Sequence, residues 1–381
     1  MRRPLTQPRA RRLGVVVVGQ TPQPFHGQAV MIEALLRGSY DQIVVHHVRM
    51  AFSREIDEIG TLTLGKVTHL FGLVARIAYA RLRFRAPILY YPPAGPRLIP
   101  VGRDIVVLLL TRWMFRRVVF HFHAAGVSEL RGLLSAPFRW LYDRAYGRPD
   151  MAIALSDVSP PDGTRLQARR IKVVPYGIED RAAALVPQVE AKSCGERILY
   201  VGAIRRSKGI LVLLEAFANL AREFDSAQLV LVGQFRSPVF QEEVAELLGR
   251  LRIAGRVLLP GEMTGTDKDQ AFLHASVFCY PTYFEAESLP VAVLEAMNFA
   301  LPVVATRWRG IPSLIEDGIT GLLVPPRDSQ AILDGLRRML ADPPAARRMG
   351  HLGRERYLAH HTLRQYRHGV EQAICSADER S

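Results

Sequence analysis

Arg197–Glu223 reads RILYVGAIRRSKGILVLLEAFANLARE, and the order of its parts decides the architecture. RILYVGAI is a short, continuous apolar run, the pattern of a strand buried on both faces. KGILVLLEAFANLARE follows after a short basic loop and has the pattern of a helix. Strands that alternate with helices build parallel sheets covered on both faces. The alternation continues toward the carboxyl terminus with QLVLVGQ then FQEEVAELLGRLR, RVLLPGEM then DKDQAFLHA, and VFCYPTY before another helix. Toward the amino terminus, LGVVVVGQ, QIVVHHVRM, APILYYPP, RVVFHFHAAG and MAIALSD are further strands, separated by helical stretches such as HGQAVMIEALLR.

Two such series imply an α/β protein of two doubly wound, Rossmann-like domains facing across a cleft. The expected division is a disordered basic arm over 1–12, a first domain over 13–180 and a second over 181–350, joined near 178–192. A carboxy-terminal helix over 351–381 is expected to pack back on the first domain. Ligands of such sheets bind beyond the carboxyl ends of the strands, so the cleft between the domains is the natural site.

Composition agrees with this division. The 381 residues suffice for two domains, each with its own core. With 49% hydrophobic and 23% charged residues, the composition is that of a soluble globular protein. The longest apolar runs, Val15–Val18 and Ile105–Leu110, are far too short to span a bilayer, and no secretory signal is visible. Cys194, Cys279 and Cys375 are widely spaced, so neither a zinc site nor a disulfide framework is supported and a reducing cytoplasm is the default. The net charge of +14 is lopsided. Residues 1–180 hold 26 Lys and Arg against 13 Asp and Glu, whereas the remainder holds 24 against 23. Such asymmetry points to a polyanionic partner, nucleic acid or anionic membrane; the alternative is a merely solvated domain.

Within that basic half, Lys66–Arg85 (KVTHLFGLVARIAYARLRFR) interleaves Lys66, Arg76, Arg81, Arg83 and Arg85 with apolar residues and contains no acid. As a helix it suits the headgroup boundary of an anionic membrane, with Arg112, Arg116 and Arg117 around Trp113 and Phe115 extending the surface. A core helix with a wet basic face is the competing reading.

Several apparent motifs fail. GTLTLGKV, Gly60–Val67, approaches a phosphate loop but places Val67 where a hydroxyl is needed, and no hydrophobic strand precedes it. Asp267 and Asp269 stand at a helix start, where acids are favoured anyway. His121 and His123 alternate along a strand with no third ligand nearby. No GxGxxG follows any strand. Neither a metal nor a dinucleotide cofactor is expected.

FEAESLPVAVLEAMNFALPVV, Phe284–Val304, carries more chemistry. A helix is expected to begin near Ser288–Pro290, with Ser288 as its cap, Glu287 just ahead of it and Glu295 about two turns in. Free N–H groups and positive potential at a helix start suit a phosphate. Carboxylates repel phosphate but accept hydrogen bonds from sugar hydroxyls. The constellation therefore suits a ligand with sugar, diphosphate and sugar in series, the form of a nucleotide sugar. Arg205, Arg206 and Lys208, at a strand's carboxyl end, are placed to neutralise a diphosphate. A solvated helix and a solvated loop have the same spacing.

Together, YVGAIRRSKGILVLLEAF and ASVFCYPTYFEAESLPVAVLEAMNFALPVVATRWRGIPSLIEDGITGLLVPPRD resemble retaining glycosyltransferases of the GT-B fold, specifically glycosyltransferase family 4 (glycosyl transferases group 1). The resemblance is strong over about 195–345 and weaker over 12–180. It implies that Glu287 contacts the donor sugar, Glu295 the ribose and Lys208 the diphosphate, with Ser288 and Leu289 at the phosphate. It places Gly27 of FHGQ near the phosphate and His123 at the cleft, so His123 and Glu287 are the expected catalytic pair. Glu285 is then an extra, solvated acid. Two departures stand out. Ala203 occupies the position where the family usually has arginine, with Arg205 and Arg206 as the candidate substitutes, and Leu289-Pro290 replaces phenylalanine-glycine. Tyr176 stands where asparagine is common, and reads as tolerated variation.

The resemblance implies a metal-independent hexosyltransferase that retains anomeric configuration, with a nucleotide sugar as co-substrate and no other cofactor. Its acceptor would be a glycan or lipid-linked molecule in cell-surface polysaccharide or glycolipid synthesis. The expected place is the cytoplasm, peripheral on the inner face of the plasma membrane, with no nucleic acid as partner. The alternatives are a GT-B sugar epimerase or phosphorylase, and a non-catalytic basic membrane-binding scaffold.

Overall fold

The computed structural model describes residues 12–22, 27–50, 64–185 and 196–379. The arm over 1–11, Phe25 and His26, and the start of the GTLTLGKV stretch lie outside the described residues. The first sheet comprises β1 (Leu13–Gly19), β2 (Ile43–Arg49), β3 (Ile88–Tyr91), β4 (Arg117–His121), β5 (Met151–Ala154) and β6 (Arg170–Val173). The second comprises β7 (Arg197–Val201), β8 (Gln228–Val232), β9 (Val257–Gly261), β10 (Val277–Tyr280), β11 (Val303–Thr306) and β12 (Leu322–Val324). The strand orders are β2-β1-β3-β4-β5-β6 and β12-β11-β10-β7-β8-β9. Every pairing is parallel. Helices on both faces bury the central strands; Val15, Val16, Val17 and Val18 of β1 are all inaccessible to solvent.

These orders determine where a ligand can sit. In each sheet the winding reverses once, between β1 and β3 in the first and between β7 and β10 in the second. Loops leave in opposite directions at such a point and open a crevice beyond the strands' carboxyl ends. In the second domain that crevice is bordered by the loops after β7 and β10, which hold Lys208 and Glu287.

The two domains meet at several points. Ala125 N donates to Ala286 O at 3.4 Å, Arg97 Nη2 pairs with Glu285 Oε1 at 2.8 Å, and Arg309 binds both carboxylate oxygens of Glu129 at 2.9 and 3.0 Å. The chain crosses between domains twice, and the crossings lie side by side. Ile178 N donates to His361 O (2.9 Å) and Leu363 N to Ile178 O (2.8 Å). A Cβ on Gly177 would stand 2.1 Å from Thr362 O, so only glycine allows this approach.

The expected single carboxy-terminal helix is two. Pro343–His360 ends at His361, and Leu363–Asp378 begins afresh behind a capping box formed by Thr362 and Gln365. The second of these helices lies on the first domain. Its Glu371 accepts from Gln42 N at 2.7 Å, its Arg367 Nε donates to Ala34 O at 2.9 Å, and Tyr366 is buried beside His121 and Tyr176.

Lys66–Arg85 falls largely on the helix Leu64–Arg83, which buries Leu73 and Ile77 and exposes Phe71, Tyr79 and Leu82; Phe84, just beyond it, is also exposed. The Lys66 side chain lies outside the described residues. The expected extension around Trp113 is narrower than its sequence suggests. Phe115 is buried, Arg112 caps backbone carbonyls, Arg116 pairs with Asp378, and Arg117 pairs with Asp150 at 3.1 Å. Packing buries Phe115 and partly covers Arg112 and Arg117, whereas Arg116 is exposed but paired and Trp113 is outermost, at 75% exposure.

Candidate functional site

The loop after β7 turns through a single 3-10 turn, Arg206–Lys208, and enters the helix Ile210–Leu220 through Gly209 at φ 77°. A Cβ there would stand 2.0 Å from Pro281 O, so glycine lets this loop lie against the loop after β10. Lys208 thereby reaches Glu287: Nζ lies 2.5 Å from Oε2 and 2.8 Å from Tyr280 OH. The same Glu287 oxygen accepts from Thr282 Oγ1 at 2.9 Å, with Tyr280 OH at 3.3 Å. The ammonium also sits over the rings of Phe284 (5.1 Å) and Tyr280 (5.2 Å), where the π-face favours a cation.

The two arginines of the loop diverge. Arg206 turns out to pair with Glu243 and to lie over Phe240. Arg205 turns toward the cleft, with its guanidinium 4.5 Å from the centre of the Phe284 ring. Burial, and then Arg97 nearby, push its pKa below the ordinary range. Glu285 is not a freely solvated acid, since it pairs with Arg97 from the first domain. Burial opposes its charge, but Arg97 and then Arg205 outweigh that, and its carboxyl titrates below the usual range.

Ser288 does not cap the helix. That helix runs Val291–Asn298, with extended Pro290 at the N-cap and no side-chain cap. A proline disfavours helical geometry in the residue before it, so Leu289 stays outside and the helix starts later. Ser288 and Leu289 are both buried; Ser288 O packs on Gly310, whose Cβ would meet it at 2.3 Å. Pro290 O takes the N–H groups of Val293 and Leu294, and Val291 and Ala292 supply the helix's orphan donors. Gly27 of the first domain lies against this helix start, with its would-be Cβ 3.7 Å from Val291 Cγ2. Glu295, further along, accepts from Lys268 Nζ at 2.6 Å. Asp269 of the DKD stretch is held by Arg181, which donates to it at 2.8, 3.1 and 2.5 Å.

His123 follows β4 and is buried, with Nδ1 2.6 Å from Tyr176 OH and Nε2 3.1 Å from Tyr90 OH. Tyr90 OH also lies 2.5 Å from His121 Nδ1. Burial, then Tyr366 and the charge of Glu287, push the Tyr176 phenol well above its ordinary pKa, so it remains a proton carrier beside His123. Tyr176, which reads in sequence as a variation, thus touches His123 through its hydroxyl. Burial, then His123, depress the His121 pKa strongly and keep that ring neutral.

Sequence reading missed Tyr280, Thr282, Lys268, Tyr90 and Arg97. Alternation along CYPT gave a signal for Tyr280 and Thr282, which share a face with Glu287's oxygen. Lys268 was overlooked between two acids. Tyr90 and Arg97 lie in the other domain and left no local trace. Among the described residues, no group of three or more His, Cys, Asp or Glu gathers as metal ligands would, and no helix is long and apolar enough to cross a membrane.

Residues 185–356 match the family described as glycosyl transferases group 1. Among curated proteins, the chain is 30% identical over 174 residues to alpha-D-kanosaminyltransferase of Streptomyces kanamyceticus, covering 46% of this chain and 40% of that one. It is 27% identical over 257 residues to phosphatidyl-myo-inositol mannosyltransferase of Mycobacterium leprae, covering 66% and 64%. These alignments thus span less than two thirds of either relative. Among solved structures, HepE of Anabaena in complex with UDP superposes with TM-score 0.72 at 16% identity, covering 96% of this chain and 100% of that one. Sucrose-phosphate synthase of Thermosynechococcus elongatus gives 0.71 at 19%, covering 96% and 99%. Both likenesses establish the two-domain fold.

Proposed function

We propose that this chain, whose residues 185–356 match the glycosyl transferases group 1 family and whose fold is GT-B, transfers a sugar from a nucleotide-diphosphate donor with retention, as a family 4 enzyme. The observation that carries this reading is the Lys208–Glu287 pair at the switch-point crevice of the second domain, with His123 and Tyr176 on the side of the first. Of the three N–H donors of Lys208, one goes to Glu287 and one to Tyr280, which leaves one for a phosphate oxygen. Arg205 and the N–H groups of Val291 and Ala292 add positive potential on the same side. These groups do the work of a cation on the leaving diphosphate, and the reaction is read as metal-independent.

Glu287 then orients the transferred sugar through its hydroxyls, and Glu295, steadied by Lys268, takes the ribose. His123, fixed by two tyrosine hydroxyls, stands on the acceptor side and holds the sugar from the opposite face. Catalysis rests on positioning and on leaving-group stabilisation, with no protein nucleophile assigned. The relatives named as a phosphatidyl-myo-inositol mannosyltransferase and, in Escherichia coli, an O-antigen chain mannosyltransferase favour a glycolipid or polysaccharide acceptor.

The basic first domain is read as the membrane-facing part of a cytoplasmic, peripheral enzyme. Phe84 and Arg85 precede β3 and Trp113 precedes β4, so this aromatic and basic edge lies at the strands' amino ends, opposite the cleft. A panel of nucleotide sugars, scored by nucleotide release and by thermal shift, tests the assignment. Release above background with one donor supports it; no binding of any nucleotide sugar sinks it.

A further inference from the structure

A second concentration of arginines lies away from the donor crevice, in a groove along the helix Ala136–Tyr146. Its volume is about 840 Å3 and its lining includes Arg112, Arg131, Arg144, Arg148, Arg165 and Trp140. Asp143 is the one acid that lines it, and Arg131 occupies both of its oxygens at 2.6 and 2.7 Å.

The remaining guanidiniums are poorly compensated. Arg112 spends Nη1 on the carbonyls of Arg144 (3.1 Å), Ala145 (2.6 Å) and Gly147 (3.0 Å). That caps the helix end but leaves a cation in half-buried ground. Arg165 is 3.9 Å from Glu129, whose two oxygens already bind Arg309. Arg148 meets only the neutral amide of Gln167, at 3.3 Å, and Arg144 lies 5.2 Å from the centre of the Trp140 ring. Among the described residues, neither Arg144 nor Arg148 has a carboxylate partner. A helix carboxyl end attracts a cation. Arg112 already meets that demand, so it does not explain the others.

We propose that this groove binds a phosphate-bearing group with two or more negative charges. Guanidinium forks match phosphate oxygens two at a time, and several forks around one cavity select for multiple charges. The volume is that of an ordinary ligand site. Trp140, 58% exposed, and Leu133, 82% exposed and adjoining the lining residue Gly132, give the groove an apolar edge. An amphiphile with a diphosphate headgroup and a free polyphosphate share the required chemistry. The groove runs from Gly147, Arg148 and Gln167, which precede β5 and β6, to Ser128, Arg131 and Gly132, which follow β4, and none of its lining residues belongs to the crevice of Lys208 and Glu287.

The test is calorimetric titration with inorganic pyrophosphate of the full chain, R144Q/R148Q and K208A. The wild type should show two sites. R144Q/R148Q should weaken one of them by about tenfold or more, as expected for loss of charge-assisted contacts. K208A should weaken the other. If R144Q/R148Q titrates like the wild type, the groove is no phosphate site. If only K208A is silent, the crevice reading fails and the groove stands. Phosphatidylcholine vesicles carrying a polyprenyl diphosphate identify the source: displacement of pyrophosphate from K208A by these vesicles assigns the group to a lipid, and its absence beside intact pyrophosphate binding assigns it to a soluble ligand.

Discussion

Lys208 Nζ lies 2.5 Å from Glu287 Oε2, and the two side chains are only 12% and 9% exposed. The pair joins the loop after β7 to the loop after β10 across the point where the sheet reverses its winding. Desolvating both charges is costly, and the bond that Lys208 donates to Tyr280 OH and those that Glu287 accepts from Thr282 and Tyr280 help to offset it.

Removal of one partner strands the other. K208A should lower stability by about 3–5 kcal/mol, the usual cost of an uncompensated buried charge. It should also reduce kcat/KM on the order of a hundredfold, as loss of a charge-stabilising donor does. K208M/E287M should recover stability but not activity. A K208A enzyme that turns over its donor at the wild-type rate removes Lys208 from the mechanism.

The two carboxylates have different surroundings and should fail differently. Glu295 is held by Lys268 beside the helix, so E295Q should mainly weaken nucleotide binding. E287Q should mainly reduce turnover, if, as proposed, Glu287 positions the transferring sugar. Binding of the free nucleoside diphosphate separates them; equal losses in both variants contradict the division.

Chelation gives a third check. With Lys208, Arg205 and a helix start as the sources of positive charge, turnover should persist in EDTA. Loss of activity that magnesium or manganese restores would reopen Asp267 and Asp269 as ligands.

His361 is buried where the chain returns to the first domain, with Nδ1 3.0 Å from Tyr176 O. Burial pushes its pKa down to about 4, against a partial upward pull from that carbonyl. The unfolded chain therefore binds the proton first as pH falls. The stability held by neutral His361 is complete above about pH 6.5 and is lost as pH drops toward 4, on the order of 3 kcal/mol. H361Q should flatten its share of that slope in urea titrations at successive pH values. An unchanged slope would mean that His361 does not titrate on unfolding.

Arg81 Nε donates to Met114 O at 2.9 Å and serves the fold, so the membrane test is best made elsewhere on the same edge. The wild type should bind anionic vesicles at low salt and release them as salt rises, since each cation contributes about 1 kcal/mol near such a surface. R83Q/R85Q/W113A should bind more weakly without change in nucleotide-sugar affinity. Preference for nucleic acid of equal charge density would refute the membrane reading.

Strand and helix periods alone determined the two parallel sheets, because buried strands and covering helices need different spacings of apolar residues, and those spacings are local. Local too were the acids Glu287 and Glu295 and the basic loop around Lys208. What each side chain faces was decided only by the tertiary structure. Arg205 and Arg206 are adjacent in sequence, yet one is turned into the cleft by Phe284 and the other out to Glu243. Tyr176 gives no local sign of its contact with His123, which the chain crossing at Gly177 brings about. The five arginines of the groove come from four separate stretches of chain. Contacts of this kind depend on how loops from distant strands meet at one edge of a sheet, and no local spacing encodes that meeting.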